Sequence, residues 1–320
     1  MASSLYQLLS PHELSDIVGS LLQTEVIWAR PLTGGLFNTT YLVETASMGK
    51  VVLRIGPVNR HLLMPFEHRL MEAEETVYSL CRGHGISCSE ILALDRTKSR
   101  IDRDIMIVRY LPSRPMSEVS LSDADRARIC FAIGKEVQKM HGISSERFGR
   151  IPEVTDGGGF VRWSDCLKNE LAQWERVAAP TELYSGEERA QIHRIFDRFA
   201  PLLDEIRQPC LVHNDLWEGN LLLKDTESGP EFAAVIDVDR AIWGDAELEF
   251  SAMQWMYGDD AFWAGYGRRL SCAPAAVRRR EVYCLLCCLW DSYVYINEYN
   301  QPDQAMILRK IAIDHIAALS

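Results

Sequence analysis

The sequence has no long apolar run, no surplus of basic charge and no disulfide framework of cysteines, and each absence removes a class of protein. Its longest apolar stretch, residues 282–290, falls well short of the ~20 residues that a membrane-spanning helix needs. The first residues show no basic stretch followed by an apolar core, so the expectation is an unexported protein. Lys and Arg number 34 against 45 Asp and Glu, a formal charge of −11. Nucleic acid and anionic membrane reward stripes of positive charge, and neither is expected as a partner. The nine cysteines are an odd number scattered through mostly apolar stretches; they suggest no disulfide framework and fit a reducing cytoplasm. What is present, 47% hydrophobic and 25% charged residues over 320 positions, is the composition of an ordinary globular chain long enough for two modest domains. The charge balance accommodates a cationic or neutral small molecule most easily.

Residues 10–23 read as a short helix. Residues 24–29, 39–44 and 50–55 are rich in Val, Ile, Thr, Tyr and Leu between Gly-containing turns, which predicts an antiparallel meander. From 67 to 82 the period becomes helical, with Leu70, Ala73, Val77 and Leu80 on one stripe and Gly83 and Gly85 where a helix ends. Residues 91–94 and 105–111 are again strand-like. Pro112-Ser113-Arg114-Pro115 cannot continue a central strand, and it sets the expected boundary between a first lobe, 1–112, and a second, 113–320. The second lobe opens on a helix capped by Ser122, with Ile129, Ile133, Val137 and Met140 on its apolar stripe. The flexible loop Asp156-Gly157-Gly158-Gly159 comes next. Further helices are expected at 163–177, 187–206, 283–299 and 306–319.

The chemistry concentrates between residues 210 and 250. His213, Asp215 and Asn220 form a His-x-Asp-x4-Asn loop between apolar flanks, and Asp237 ends the buried-looking strand Ala233-Ala234-Val235-Ile236. Phosphoryl transfer needs such a set: one carboxylate to accept the proton of the incoming hydroxyl, and an amide oxygen with a second carboxylate to hold Mg²⁺ at the nucleotide phosphates. The spacing matches the catalytic loop and metal-binding Asp of protein-kinase-like enzymes.

On these residues the chain resembles the aminoglycoside phosphotransferase and choline kinase-like family of small-molecule kinases, from about Leu32 to Phe250. The resemblance implies a bilobal, protein-kinase-like α+β fold, with an antiparallel sheet and a helix in a nucleotide-binding first lobe and a mainly helical second lobe. It implies Asp215 as catalytic base, Asn220 and Asp237 as metal ligands, and His213 as a brace for the loop. Gly34, Gly35 and Asn38 fall in the loop that covers the nucleotide, and residues 108–111, with Arg109 and Leu111, resemble the hinge that holds the adenine. Arg54 stands where the family usually has a phosphate-contacting Lys. Its helix-borne partner is Glu74, with Glu72 and Glu75 as alternatives of register. Gly244-Asp245-Ala246-Glu247-Leu248-Glu249-Phe250 takes the place of the family's downstream Gly-Asp-Pro-x-x-Asp-Leu, with Ala246 for Pro and Glu249 for Asp. The implied activity is transfer from ATP or GTP, with Mg²⁺, to a hydroxyl of a small molecule. An aminoglycoside or other cationic antibiotic is the first expectation. The alternatives are a metabolic acceptor, such as an amino alcohol, fructosamine, sugar or homoserine, and a nucleotide-binding pseudokinase. Asp239 and Asp245 read as bracing acids of turns, and Cys284-x-x-Cys287-Cys288 as helical core rather than a metal site.

Overall fold

The computed structural model describes residues 3–32 and 35–320. The chain forms two compact units, the first made of Met1–Leu63, Ser89–Pro112 and Val294–Gln304, the second of Met64–Cys88, Ser113–Tyr293 and Ala305–Ser320.

In the first unit, helix α1 (Pro11–Leu22) starts on a reciprocal cap. The Ser10 side chain accepts the Glu13 N–H, the Glu13 carboxylate accepts the Ser10 N–H, and Pro11 sits where no N–H is needed. Strands β1 (Val26–Pro31), β2 (Thr39–Thr45), β3 (Gly49–Ile55), β4 (Ile91–Asp95) and β5 (Ile105–Arg109) form a sheet in the order β1-β2-β3-β5-β4, antiparallel throughout. Alternate residues Val51, Leu53 and Ile55 of β3 join Leu14, Ile17 and Val18 of α1 in one core, as a period of two on a one-sided sheet requires. Strand β5 stops at Arg109, short of the expected 111.

The second unit begins with helix α2 (Leu70–Gly83), entered through a tight turn over Pro65–Arg69. The short strand β6 (Arg114–Pro115) follows. Ser122 caps α3 (Asp123–His141) by accepting the Asp125 N–H. Then come β7 (Gly149–Arg150), α4 (Ile151–Thr155), α5 (Trp163–Ala178), α6 (Gly186–Leu203), β8 (Cys210–Val212), β9 (Leu221–Thr226), β10 (Gly229–Val235) and β11 (Ile242–Gly244). Helices α7 (Glu249–Ala252), α8 (Asp260–Tyr266), α9 (Pro274–Asn297) and α10 (Pro302–Leu319) complete the chain. Helix α9 starts well before the expected residue 283, because Pro274 opens a first turn and the run Arg278-Arg279-Arg280 is helical rather than loop. Two small sheets, β10-β9-β6 and β7-β11-β8, flank the loop of interest. Among the described residues no helix is long and apolar enough to cross a membrane, and every cysteine is free.

Helices α3 and α8 cross backbone against backbone. A Cβ built on Gly265 would sit 2.0 Å from the Phe131 carbonyl oxygen, and one on Gly134 would sit 2.3 Å from that of Phe262. Rigid backbone cannot give way there, so Gly265→Ala is expected to cost about 3 kcal/mol, at the upper end of overpacking costs. Thermal unfolding checks it; a loss under ~0.5 kcal/mol, the size of an ordinary surface change, would show that the crossing is loose.

Candidate active site

The site grows out of the loop between β8 and β9. His213 is fully buried. Its Nε2–H donates to the Ile236 carbonyl (2.9 Å), which leaves Nδ1 to accept the Asp215 N–H (3.3 Å). One imidazole in one tautomer therefore ties the loop to the strand that leads into Asp237. The Asn220 amide nitrogen donates to the Asp215 carbonyl (2.7 Å) and to its carboxylate (3.2 Å). With its amide nitrogen so engaged, the Asn220 side-chain carbonyl oxygen is the atom that could ligate a cation.

Two side chains that flank the chemistry sit on left-handed backbone, Asn214 at φ 64° and Asp237 at φ 59°. Asn and Asp tolerate this conformation better than most residues, yet it costs energy that neighbours must offset. At Asn214 the neighbour is Glu249. This fully buried carboxylate accepts the His213 N–H (2.7 Å) and the Asn214 N–H (3.0 Å), and the Asn214 side chain donates to the Arg240 carbonyl (3.3 Å). Burial pushes the Glu249 proton affinity up, but the His141 side chain and the His213 N–H outweigh it and hold the carboxyl below the usual range. Its stabilising contribution is thus present above the ordinary carboxylate pKa and is lost as pH falls through the lower folded value. Glu249→Gln is expected to destabilise the chain by roughly 2 kcal/mol, as for hydrogen bonds to a charged group, and to slow turnover at least ~10-fold by freeing the loop. Paired melting and rate measurements check this, and unchanged turnover would contradict the bracing role.

Asp237 follows β10 and donates its N–H to the Tyr78 hydroxyl (3.3 Å) on α2. Carboxylate oxygens of Glu74, Asp237 and Asp239 lie within 4.8 Å of one another. Glu74 and Asp239 are buried and Asp237 half-buried. On α2, Glu74 faces the cluster, Glu72 pairs with Arg69 (Nε–Oε2 3.0 Å) and Glu75 is exposed. An all-oxygen donor set suits a hard divalent cation such as Mg²⁺. Asp239 joins this cluster instead of merely bracing a turn. The signal was its spacing, two residues after Asp237 on a tight turn that brings both carboxylates round to one side.

Asp215 is half-buried. Burial pushes its carboxyl up to about 8, with Arg240 opposing the rise and Asp237 and Asp291 adding to it. Arg240 was not singled out in the sequence, although it lies three residues after Asp237. Its guanidinium pairs with the buried Glu67 (2.5 Å). Asp245 braces as expected: it accepts from the Tyr283 hydroxyl (2.8 Å), which in turn accepts from the Trp163 indole (2.9 Å).

The remaining predicted residues belong to the first unit. Arg54 on β3 pairs across the sheet with Thr40 and Met106 and is half-buried. Gly35 is exposed and Asn38 buried, its Oδ1 without a hydrogen-bond partner among the described residues. Gly34 lies outside the described residues. The Arg109 N–H donates to the Glu90 carbonyl (2.8 Å) and its side chain pairs with the Glu90 carboxylate (2.6 Å). Leu111 follows just beyond β5, half-buried.

A candidate fructosamine-3-kinase from Thermobifida fusca superposes with a TM-score of 0.70 at 18% identity, covering 97% of this chain and 99% of that one. An aminoglycoside phosphotransferase, APH(4)-Ia, solved with AMP-PNP and hygromycin B, gives a TM-score of 0.68 at 15% identity, with 96% and 98% covered. These likenesses show the fold to be protein-kinase-like. In sequence, a probable ketoamine kinase of Vibrio parahaemolyticus is 24% identical over 311 residues, 94% of this chain and 97% of the relative. The chloroplastic protein-ribulosamine 3-kinase of Arabidopsis thaliana is 31% identical over 178 residues, 52% of this chain and 51% of the relative. The sequence model of the phosphotransferase enzyme family matches residues 28–282, so the chain belongs to that family and is an ATP-dependent small-molecule kinase.

Proposed function

We propose that the chain phosphorylates a hydroxyl of a ketoamine, the adduct of a sugar with an amine, and that it does so in the cytoplasm. The observation that carries the substrate class is the match to a probable ketoamine kinase along nearly the full length of both chains. In this reading Asp215 orients the acceptor hydroxyl and takes its proton. A carboxylate raised to about 8 is a stronger base than an ordinary one and is matched to work near neutral pH. His213 and Glu249 hold the loop so that Asp215 keeps its aim. Asn220, Asp237, Asp239 and Glu74 would hold Mg²⁺, which when bound neutralises charge on the nucleotide phosphates. Arg54, with Gly35 and Asn38, would contact those phosphates, and the backbone at Arg109 and Leu111 would take the adenine. Transfer is direct, with no phosphoenzyme.

The test is ADP release with Mg-ATP across ketoamines such as ε-fructosyl-lysine and its ribulosyl counterpart, aminoglycosides, choline and homoserine. Stimulation by the ketoamines is expected. Stimulation by an aminoglycoside alone would replace the ketoamine reading with antibiotic modification, and Mg-dependent nucleotide binding without transfer to any acceptor would favour a regulatory module.

A further inference from the structure

Two cysteines that play no part in this chemistry lie against each other beside it. Cys81 is in the last turn of α2 and fully buried; Cys88 comes seven residues later and is half-buried, between the exposed Ser87 and the buried Ser89. Gly85, at φ 65°, turns the chain back, and the Ile86 N–H donates to the Cys81 carbonyl (2.9 Å). The thiols meet across this turn, the Cys81 S–H donating to the Cys88 sulfur, while Cys88 Sγ lies 3.9 Å from the Tyr78 carbonyl. The donated hydrogen bond holds the Cys88 thiol below its ordinary value. Cys166, Cys210, Cys284, Cys287 and Cys288 are all pushed up by burial, which makes them poor nucleophiles.

The turn is also wired to the carboxylate cluster. The Ser87 carbonyl accepts the Val235 N–H (2.9 Å) and Cys88 bridges Val235, two residues before Asp237. From the other side Tyr78 contacts both ends, its carbonyl facing Cys88 and its hydroxyl accepting the Asp237 N–H.

We propose that Cys81 and Cys88 are a reversible disulfide site, oxidised by hydrogen peroxide, whose closure shifts the Asp237 turn and weakens Mg-ATP binding. The Cys88 thiolate attacks one peroxide oxygen, forming a sulfenic acid and releasing hydroxide. The Cys81 sulfur then displaces the sulfenic hydroxyl, and its proton leaves in water. The sum is two thiols and one peroxide giving one disulfide and two waters. Closure draws the sulfurs from a hydrogen-bonded contact to ~2.05 Å, which pulls Cys88 and its bridge to Val235 toward α2.

The experiment uses the full chain carrying Cys272→Ser, since Cys272 is exposed and would cross-link copies. After peroxide treatment and alkylation of the remaining thiols, peptide mapping is expected to find Cys81 linked to Cys88, reversed by dithiothreitol. Calorimetry with Mg-AMP-PNP is expected to show affinity about 5-fold weaker or more after oxidation, the size of an ordinary coupling between sites. Adding Cys88→Ser should abolish both effects and leave binding at the reduced level. If both thiols stay alkylatable under peroxide, the site is overturned; if the disulfide forms and affinity is unchanged, the coupling to Asp237 is overturned. The nucleotide arm rests on the function proposed above. A reduced protein that binds no Mg-AMP-PNP would count against that function, while the peptide map judges the disulfide independently.

Discussion

Replacing Asp237 by Asn is expected to abolish the Mg²⁺ dependence of nucleotide binding and to lower kcat/KM about 10³-fold, the several kcal/mol that charge stabilisation at a phosphoryl group is worth. The expectation follows from where Asp237 stands. It is the most exposed of three clustered carboxylates, with Glu74 and Asp239 buried behind it, so a cation held there meets Asp237 on its solvent side. Asn is the right probe because the residue occupies left-handed backbone at φ 59°, which Asn adopts with little strain and Ala does not. The backbone N–H bond to Tyr78 survives as well, so the charge is the main thing removed. Calorimetric titration with AMP-PNP, with and without Mg²⁺, reads the effect. Equal Mg²⁺ dependence in the two proteins would remove Asp237 from the metal site.

Asp215→Asn is expected to lower kcat by about 10²–10⁴-fold, the usual worth of a positioned base, and to leave Mg-AMP-PNP affinity near the wild-type value. The same variant makes a second prediction, about stability. The Asp215 carboxyl is raised to about 8 in the folded chain from an ordinary value of 3.8. Between those values the folded state binds more protons than the unfolded state, so metal-free wild-type protein loses stability as pH rises through this window. The amide does not titrate. The variant should therefore melt above the wild type at pH 8, with the difference shrinking toward pH 4, as when a site trades stability for function. A lower melting temperature at pH 8 would contradict the half-buried, charge-crowded setting of Asp215.

Much of this architecture is legible in the sequence because local signals agree with one another. The alternation along β3, the reciprocal Ser10–Glu13 cap and the Ser122 cap each place an element within a few residues. The His-x-Asp-x4-Asn loop and the strand ending at Asp237 are close in the chain, and local hydrogen bonds suffice to bring them together. What the sequence hides depends on distant contacts. Nothing in residues 64–88 says that α2 belongs with the second unit; its packing against the turn after Asp237 decides that. Glu249 reads as an architectural acid, and only the folded chain shows it gripping two loop N–H groups. Arg240 and Glu67 are 173 positions apart, and their pairing has no local signature. Asp239 was visible, but a turn role and a ligand role look alike until Glu74 is placed opposite.

The most direct test of the central claim is single-turnover transfer, with enzyme in excess over Mg-ATP labelled in the γ-phosphoryl group and ε-fructosyl-lysine as acceptor. Wild-type protein is predicted to convert the label into a phosphorylated ketoamine, with Asp215→Asn protein, saturated with the same nucleotide, forming almost none. Label transferred at equal rates by the two proteins would show that Asp215 is not the base, and label that never leaves ATP in the wild type would show that the acceptor is not a ketoamine.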